Sequence, residues 1–252
     1  MGLKGESLTG ATNEQVIKIG DTVHRKVKSD PTLHLYLQYL EKAGMTGVPR
    51  FLGLDGQGRE ILSYLPGKTQ EKDNLINHPC MRSDDTLVDV SCFMRRLHDI
   101  STGFLPKAIE CGWGNPDYPQ DEPETICHND AAGWNFVFVN NRIAGLFDFD
   151  KACPGTRMWD LTLPVFSLVP ITPYLYEPEH DIEVPYEKSQ HASERKRRIK
   201  LFFEAYGMNC SHNFLDLLIF RMQDFCKHSK GHGLMWYTKV VAHMKETGQD
   251  WI

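Results

Sequence analysis

The sequence predicts a two-lobed α/β (α+β) fold, with a small N-terminal β-sheet lobe carrying one helix and a larger, mainly helical C-terminal lobe. Three observations lead there. Between Gln15 and Leu65, short alternating apolar runs are separated by Gly- and Asp-containing turns, the pattern of hairpins. Pro66-Gly67 breaks that pattern, and from Asp84 onward apolar residues recur mostly at helical spacing. A single further hairpin signature, Phe136 to Phe149, interrupts the helical part. The expected division is therefore a lobe of residues 1–66 and a lobe of residues 67–252.

Each element has a local reason. Gln15 to Ile19 alternates, Gly20-Asp21 turns the chain, and Thr22 to Lys28 continues as a second strand. Ser29-Asp30-Pro31 begins a helix, because Asp30 can accept from the first-turn N–H groups and the fixed φ of Pro31 suits that turn. Leu33, Leu37 and Leu40 give it one apolar face, and Gly44 follows its end. Phe51 to Leu54 and Glu60 to Leu65 pair around Asp55-Gly56-Gln57-Gly58. Asp84 to His98 carries Leu87, Val90, Met94 and Leu97 at helical spacing, with acids at its start and Arg95 and Arg96 near its end, matching the helix dipole. Residues 100–126 are rich in Gly, Pro and Asp and read as a connecting loop. Phe136 to Val139 and Ile143 to Phe149 flank the turn Asn140-Asn141, and helices are expected near 188–206, 211–229 and 233–246.

Bulk properties exclude several classes. A formal charge of −5 over 252 residues argues against a dedicated nucleic-acid binder. No apolar run approaches the roughly 18 residues of a membrane span, and the first fifteen residues hold no hydrophobic leader. MGLKGES superficially fits a myristoylation pattern, but an ordinary start is the simpler reading. The seven cysteines are odd in number and lack a Cys-x-x-Cys pair, which suits reduced thiols in a cytoplasmic protein, a monomer or weak dimer. Among eleven histidines there is no His-Glu-x-x-His motif, and His228/His232 lacks a third ligand.

The most informative stretch is ICHNDAAGWNFVFVNNRIAGLFDFD, residues 126–150, which places His128, Asp130, Asn135 and Asp148 in one frame. A γ-phosphate is highly anionic, so transferring it calls for a magnesium clamp built from hard oxygens such as a carboxylate and an amide carbonyl. A second carboxylate, kept off the metal, must meet the acceptor hydroxyl. Turn-loving Asp and Asn residues clustering by chance would explain any one of these positions, but hardly four in register. A metal-dependent hydrolase using His128 and Asp130 as ligands is the other reading, and it has too few clustered histidines.

Further segments follow in a recognisable order: Gly10-Ala11-Thr12-Asn13 before the second strand, LSYLPG at 62–67, FMRRLHDI at 93–100, the loop ICHNDAAGWNFVF, and GLFDFDKACPGTRMWDL. Together they resemble the aminoglycoside phosphotransferase and choline kinase-like superfamily, over most of the chain. The resemblance implies a two-lobed kinase-like fold and Mg²⁺-dependent transfer of the γ-phosphate of ATP or GTP to a hydroxyl of a small molecule, aminoglycoside-like or an amino alcohol. It implies Asp130 as catalytic base, Asn135 and Asp148 as magnesium ligands, and His128 and Asp160 as structural supports of the site. It makes Gly10 to Asn13 the phosphate-covering loop and Ser63 to Leu65 the hinge that reads the base through backbone groups. Asp160 serves equally well as a helix N-cap, Asp150 solvates its turn in preference to binding a second metal, and Arg157 has acids nearby to pair with.

Two positions depart from the superfamily pattern. A lysine is expected on the strand TVHRKVK, where alternation puts Val23 and Arg25 on one face; Arg25 is the candidate for the phosphate clamp, with Lys26 as fallback. Its partner glutamate is expected on the following helix, where His34 stands. These departures give weight to an alternative, a catalytically silent kinase-like nucleotide- or ligand-binding protein. The acidic stretch 176–187 reads as a solvated surface loop that offers attraction to a cationic acceptor, and ERKRRIK, 194–200, as an exposed helix face. Trp113, Trp134 and Trp236 are candidates to line the acceptor pocket.

Overall fold

An antiparallel sheet of five strands, ordered β1-β2-β3-β5-β4, forms the N-terminal lobe: β1 (Glu6–Leu8), β2 (Val16–Ile19), β3 (Thr22–Arg25), β4 (Phe51–Leu54) and β5 (Glu60–Ser63). The computed structural model describes residues 6–8, 16–27, 30–70, 79–119, 121–177, 180 and 182–252. Gly10 to Asn13 and the Met1-Gly2 start lie outside these residues. Gly20, at φ +59°, supplies the left-handed turn between β2 and β3. β3 stops at Arg25 instead of reaching Lys28 because its ladder to β5 runs only from Thr22↔Ser63 to Arg25↔Glu60, where β5 begins. β1 was not legible, since three residues without alternation gain strand character only by pairing with the edge of β2.

Helix α1 (Thr32–Lys42) starts as expected: Asp30 Oδ1 accepts from Thr32 N at 2.7 Å, and Leu33, Leu37 and Leu40 are buried. Tyr36, also buried, reaches the other lobe, with its hydroxyl 2.5 Å from Ser101 Oγ and its ring against Phe104 and Trp113. Trp113 is thereby a core residue and not an acceptor-pocket wall.

The second lobe contains α2 (Pro79–Arg82), α3 (Asp84–Ser101), α4 (Leu105–Glu110), α5 (Arg157–Leu168), α6 (Lys188–Tyr206), α7 (Phe214–His228) and α8 (Gly231–Thr247). Three two-stranded ribbons punctuate them: β6 (Thr125–Cys127) with β9 (Cys153–Gly155), β7 (Phe136–Val139) with β8 (Arg142–Leu146), and β10 (Tyr174–Glu177) with β11 (Ile182–Pro185). Ser83 caps α3 by accepting from Thr86 N at 3.1 Å, and Leu87, Val90, Met94 and Leu97 are fully buried. Residues 100–126, expected as a loop, hold α4 and β6; β6 is three residues long and exists by pairing with a strand far along the chain, which no local pattern shows. α5 escaped notice because Pro164, a residue that ordinarily ends a helix, lies inside it. The 176–187 stretch is not a plain loop either, since its ends lie in the β10–β11 ribbon.

The ERKRRIK segment corrects a second expectation. Arg195 and Arg198 are buried: Arg195 Nη2 donates to Thr172 O at 2.6 Å, and Arg198 Nη2 donates to Leu168 O at 2.9 Å. Planar guanidiniums can enter the core here because they satisfy carbonyls at and just beyond the C-terminal end of α5. Among the described residues, no helix is long and apolar enough to cross a membrane.

The lobes meet through backbone as well as through Tyr36. Leu146 N donates to Gly47 O at 2.8 Å, and just past the lobe boundary Lys68 exchanges hydrogen bonds with Phe138 at 2.9 and 2.8 Å. A Cβ on Gly145 would stand 2.6 Å from Gly47 O, and a backbone atom cannot rotate aside. Gly145→Ala is expected to destabilise by about 1–3 kcal/mol, read as a lower denaturation midpoint at unchanged slope in urea titration.

Candidate active site

The site begins with β6 and β9. Their pairing, Cys127↔Cys153, sets the loop that starts at His128 against the segment 148–153. What fixes the loop is Asp160, in the first turn of α5 and fully buried. Its Oδ1 accepts from Asn129 N at 2.7 Å, and its Oδ2 accepts from His128 N at 2.8 Å and from His98 Nε2 at 2.9 Å. Asp160 thus braces the loop as the resemblance implies; the N-cap role belongs to Thr156, whose Oγ1 accepts from Trp159 N at 3.3 Å. Burial alone would raise the Asp160 carboxyl, but His98, His128 and the loop amide outweigh it and hold it below the usual range.

His128 is a neutral imidazole in a single tautomer. Nε2 donates to Phe147 O at 3.0 Å, and Nδ1 accepts from Asp130 N at 3.1 Å, so one ring nitrogen is spent on the segment after β8 and the other within the loop. Burial lowers its pKa in agreement. Asn129 occupies the left-handed region at φ +63°; its Nδ2 donates to Lys151 O at 3.0 Å and its Oδ1 accepts from Trp159 Nε1 at 2.8 Å. The turn projects Asp130 with its side chain 15% exposed, and Lys151 Nζ lies 3.2 Å from Asp130 Oδ2. Asn135 Nδ2 donates to Asp130 O at 2.8 Å, so its amide oxygen is the end turned away from that bond. Asp148, also left-handed at φ +67°, is 38% exposed.

Arg25 reaches this segment from the sheet lobe. Its Nε donates to Glu60 Oε1 at 2.7 Å, its Nη1 to Asp148 Oδ1 and to Asp150 Oδ2 at 3.2 Å each, and its Nη2 pairs closely with Asp150 Oδ1. Burial would depress the guanidinium, but Asp150, Glu60 and Asp148 leave it above its ordinary value. Asp150 therefore does more than solvate a turn. Lys26 is exposed and makes no contact with these carboxylates among the described residues. In the hinge, Ser63 N and Tyr64 N donate to Arg50 O and Asp21 O at 2.9 and 2.8 Å. The backbone groups of Leu65 enter no hydrogen bond among the described residues.

The donor set fits a magnesium ion of the phosphate-bridging kind, which needs only a carboxylate or two and an amide oxygen from the protein. Among the described residues, no group of three or more His, Cys, Asp or Glu converges on a point.

Several participants were not read from the sequence. Lys151, Glu60 and Arg221 come from segments whose proximity only the fold creates. Arg221, on α7 and buried, lies 3.6 Å over the Trp159 ring and donates Nη1 to Asn129 O at 3.2 Å, beneath the catalytic loop. Tyr237 on α8 lies near enough that burial and the Asp130 charge both raise it. Trp134 packs partly buried against the core, Trp236 is 37% exposed on α8, and Arg157 pairs with Asp99 at 2.6 Å.

The sequence model of the phosphotransferase enzyme family (APH) matches residues 115–173, the segment that holds the loop, Asp148 and Asp160. No curated protein gives a match. Among solved structures, a thermostable mutant of aminoglycoside phosphotransferase APH(4)-Ia aligns with a TM-score of 0.60 at 14% identity, covering 97% of this chain and 94% of that one. Choline kinase from Cryptosporidium parvum Iowa II aligns at 0.57 and 11% identity, covering 98% and 89%. The GDP complex of a point mutant of aminoglycoside 2'-phosphotransferase-IIIa aligns at 0.57 and 14% identity, covering 98% and 92%. At such identities the likeness is one of fold, and it is the two-lobed kinase-like fold that the sequence predicts.

An amide in place of the Asp160 carboxylate cannot serve three N–H donors. Asp160→Asn is expected to cost about 3 kcal/mol in equilibrium unfolding. Because the folded carboxyl is depressed, its contribution is complete above the unfolded value and is lost as pH falls through the folded one. The variant should therefore lose stability less steeply than wild type below about pH 4.

Proposed function

We propose that this chain, which has the fold of the aminoglycoside phosphotransferase and choline kinase-like superfamily, is a Mg²⁺-dependent phosphotransferase. It moves the γ-phosphate of ATP or GTP to a hydroxyl of a small molecule, aminoglycoside-like or an amino alcohol. The match to the phosphotransferase family and the kinase-like neighbours support a small-molecule phosphotransferase. The observation that carries the finer reading is the braced loop: Asp160 pins His128 and Asn129, so Asp130 projects beside Lys151 and next to the segment bearing Asp148. In this reading residues 1–66 form the nucleotide lobe and residues 67–252 the catalytic and acceptor lobe.

Asn135 and Asp148 would hold the magnesium ion, which when bound supplies charge neutralisation on the bridging phosphates. Arg25 presents its fork to the phosphates, and Leu65 offers the hinge backbone to the base. Asp130 orients the acceptor hydroxyl and takes its proton as the new P–O bond forms; in a loose transition state the orienting role dominates. Lys151, on Asp130 Oδ2, holds that carboxylate's plane and adds positive charge where the phosphoryl group transfers. Tyr237, near enough to Asp130 to feel its charge, places the acceptor between the loop and helix α8, while the buried Arg221 supports the loop from beneath through Asn129 O. The donor is taken to be ATP or GTP because solved neighbours are complexes with GDP and with ATP.

A silent binding protein is the second reading, favoured by one contact: Arg25 engages the Asp148 carboxylate that the metal needs. Turnover separates the two. With ATP or GTP and a panel of aminoglycosides and amino alcohols, the wild type should phosphorylate at least one acceptor. Asp130→Asn should lower kcat by roughly 10²–10⁴ and Lys151→Met by about tenfold or more, both with nearly unchanged nucleotide affinity. No turnover from the wild type, with nucleotide still bound, would favour the silent reading.

A further inference from the structure

The resemblance puts a lysine on β3 and its carboxylate partner on the following helix; this chain has Arg25 and His34 there. The carboxylate is nonetheless present, on a different element. Arg25 and Glu60 are direct Cα partners across the β3–β5 ladder. Glu60 is 1% exposed, and both its oxygens are used: Oε1 accepts from Arg25 Nε at 2.7 Å, and Oε2 accepts from His34 Nε2 at 2.9 Å. The His34 ring is itself fixed, stacked on Phe51 at 3.8 Å and 9°. A carboxylate this deep is retained only against well-placed donors, and here the donors are the two departing residues.

We propose that Glu60 is the positioning residue of the nucleotide clamp, fixing Arg25 from the adjacent strand in place of a helix carboxylate, with His34 as its second anchor. This rests on the phosphotransferase reading of the site and adds to it. The guanidinium makes the exchange workable. With Nε spent on Glu60, its plane is set, and the two terminal nitrogens point across the cleft to Asp148 and Asp150. An ammonium is a single point and cannot be tied to one carboxylate while presenting a planar pair of donors elsewhere. The two departing residues and Glu60 thus form one connected arrangement. A cross-strand pair is fixed by the hydrogen-bond ladder itself, so the clamp is assembled by sheet register and does not wait for α1 to swing in.

Calorimetric titration in Mg²⁺ with ATP and adenosine, and with GTP and guanosine, tests this on the whole protein. Glu60→Gln should weaken triphosphate binding by about tenfold or more, the size of a lost charge-assisted hydrogen bond, and leave nucleoside binding within about twofold. The double variant His34→Glu/Glu60→Gln returns the carboxylate to the helix and should recover most of the loss. Unchanged triphosphate binding by Glu60→Gln would overturn the proposal, and so would an equal loss for triphosphate and nucleoside, which marks a merely structural residue. If Glu60→Gln does not fold, Arg25→Lys decides: it keeps the charge, and triphosphate binding equal to wild type would overturn the proposal. A wild type that binds neither triphosphate would instead remove the phosphotransferase reading itself, and this inference with it.

Discussion

Asp160 is the constraint on which the active centre depends. A carboxylate with no solvent exposure accepts from two consecutive loop amides and one imidazole, and each bond fixes a different piece of chain. The amides belong to His128 and Asn129, whose left-handed turn aims Asp130 outward. The imidazole belongs to His98 near the end of α3, whose other nitrogen meets the Tyr206 hydroxyl of α6 at 2.7 Å. One buried charge therefore ties the loop to α3, α5 and α6. Its cost in desolvation is offset because every strong acceptor direction is filled.

From that anchor the site extends by short, directional links. Asn129 bridges to Lys151 O and to the Trp159 indole, and His128 bridges to Phe147 O, so the segment 147–151 moves with the loop. Arg25 is the longest link, spanning from the sheet lobe to Asp148 and Asp150. It joins lobes that also meet through Tyr36 and through close backbone contacts at Gly47 and Gly145. The arrangement places positive charge from both lobes, Arg25 and Lys151, around a carboxylate-rich centre where phosphates would enter.

Much of this was legible because its signals are local. Hairpin turns, the Asp30 cap, the helical faces of α1 and α3, and the frame of His128, Asp130, Asn135 and Asp148 all lie within short windows of sequence. Asp160 was legible only through resemblance, since its alternative as an N-cap was equally good until Thr156 was seen in that role. What escaped depends on distant pairing. Glu60 looked like the start of an ordinary strand, and only the β3–β5 register sets it opposite Arg25. Arg195 read as part of an exposed helix face, and Lys151 and Arg221 carried no local signal, because the groups they meet belong to other elements. Helix α5, buried on most sides and carrying Pro164, lacks the composition of a surface helix.

The account stands most directly on whether the cleft holds a nucleotide through magnesium. Thermal unfolding of the wild type with millimolar ATP or GTP, each with and without Mg²⁺, measures this. A ligand at about 100 times its dissociation constant adds about 2.7 kcal/mol, enough to move the midpoint visibly. The account predicts a rise with at least one triphosphate that is large with Mg²⁺ and small without it. No rise with either nucleotide, or a rise indifferent to Mg²⁺, would contradict it.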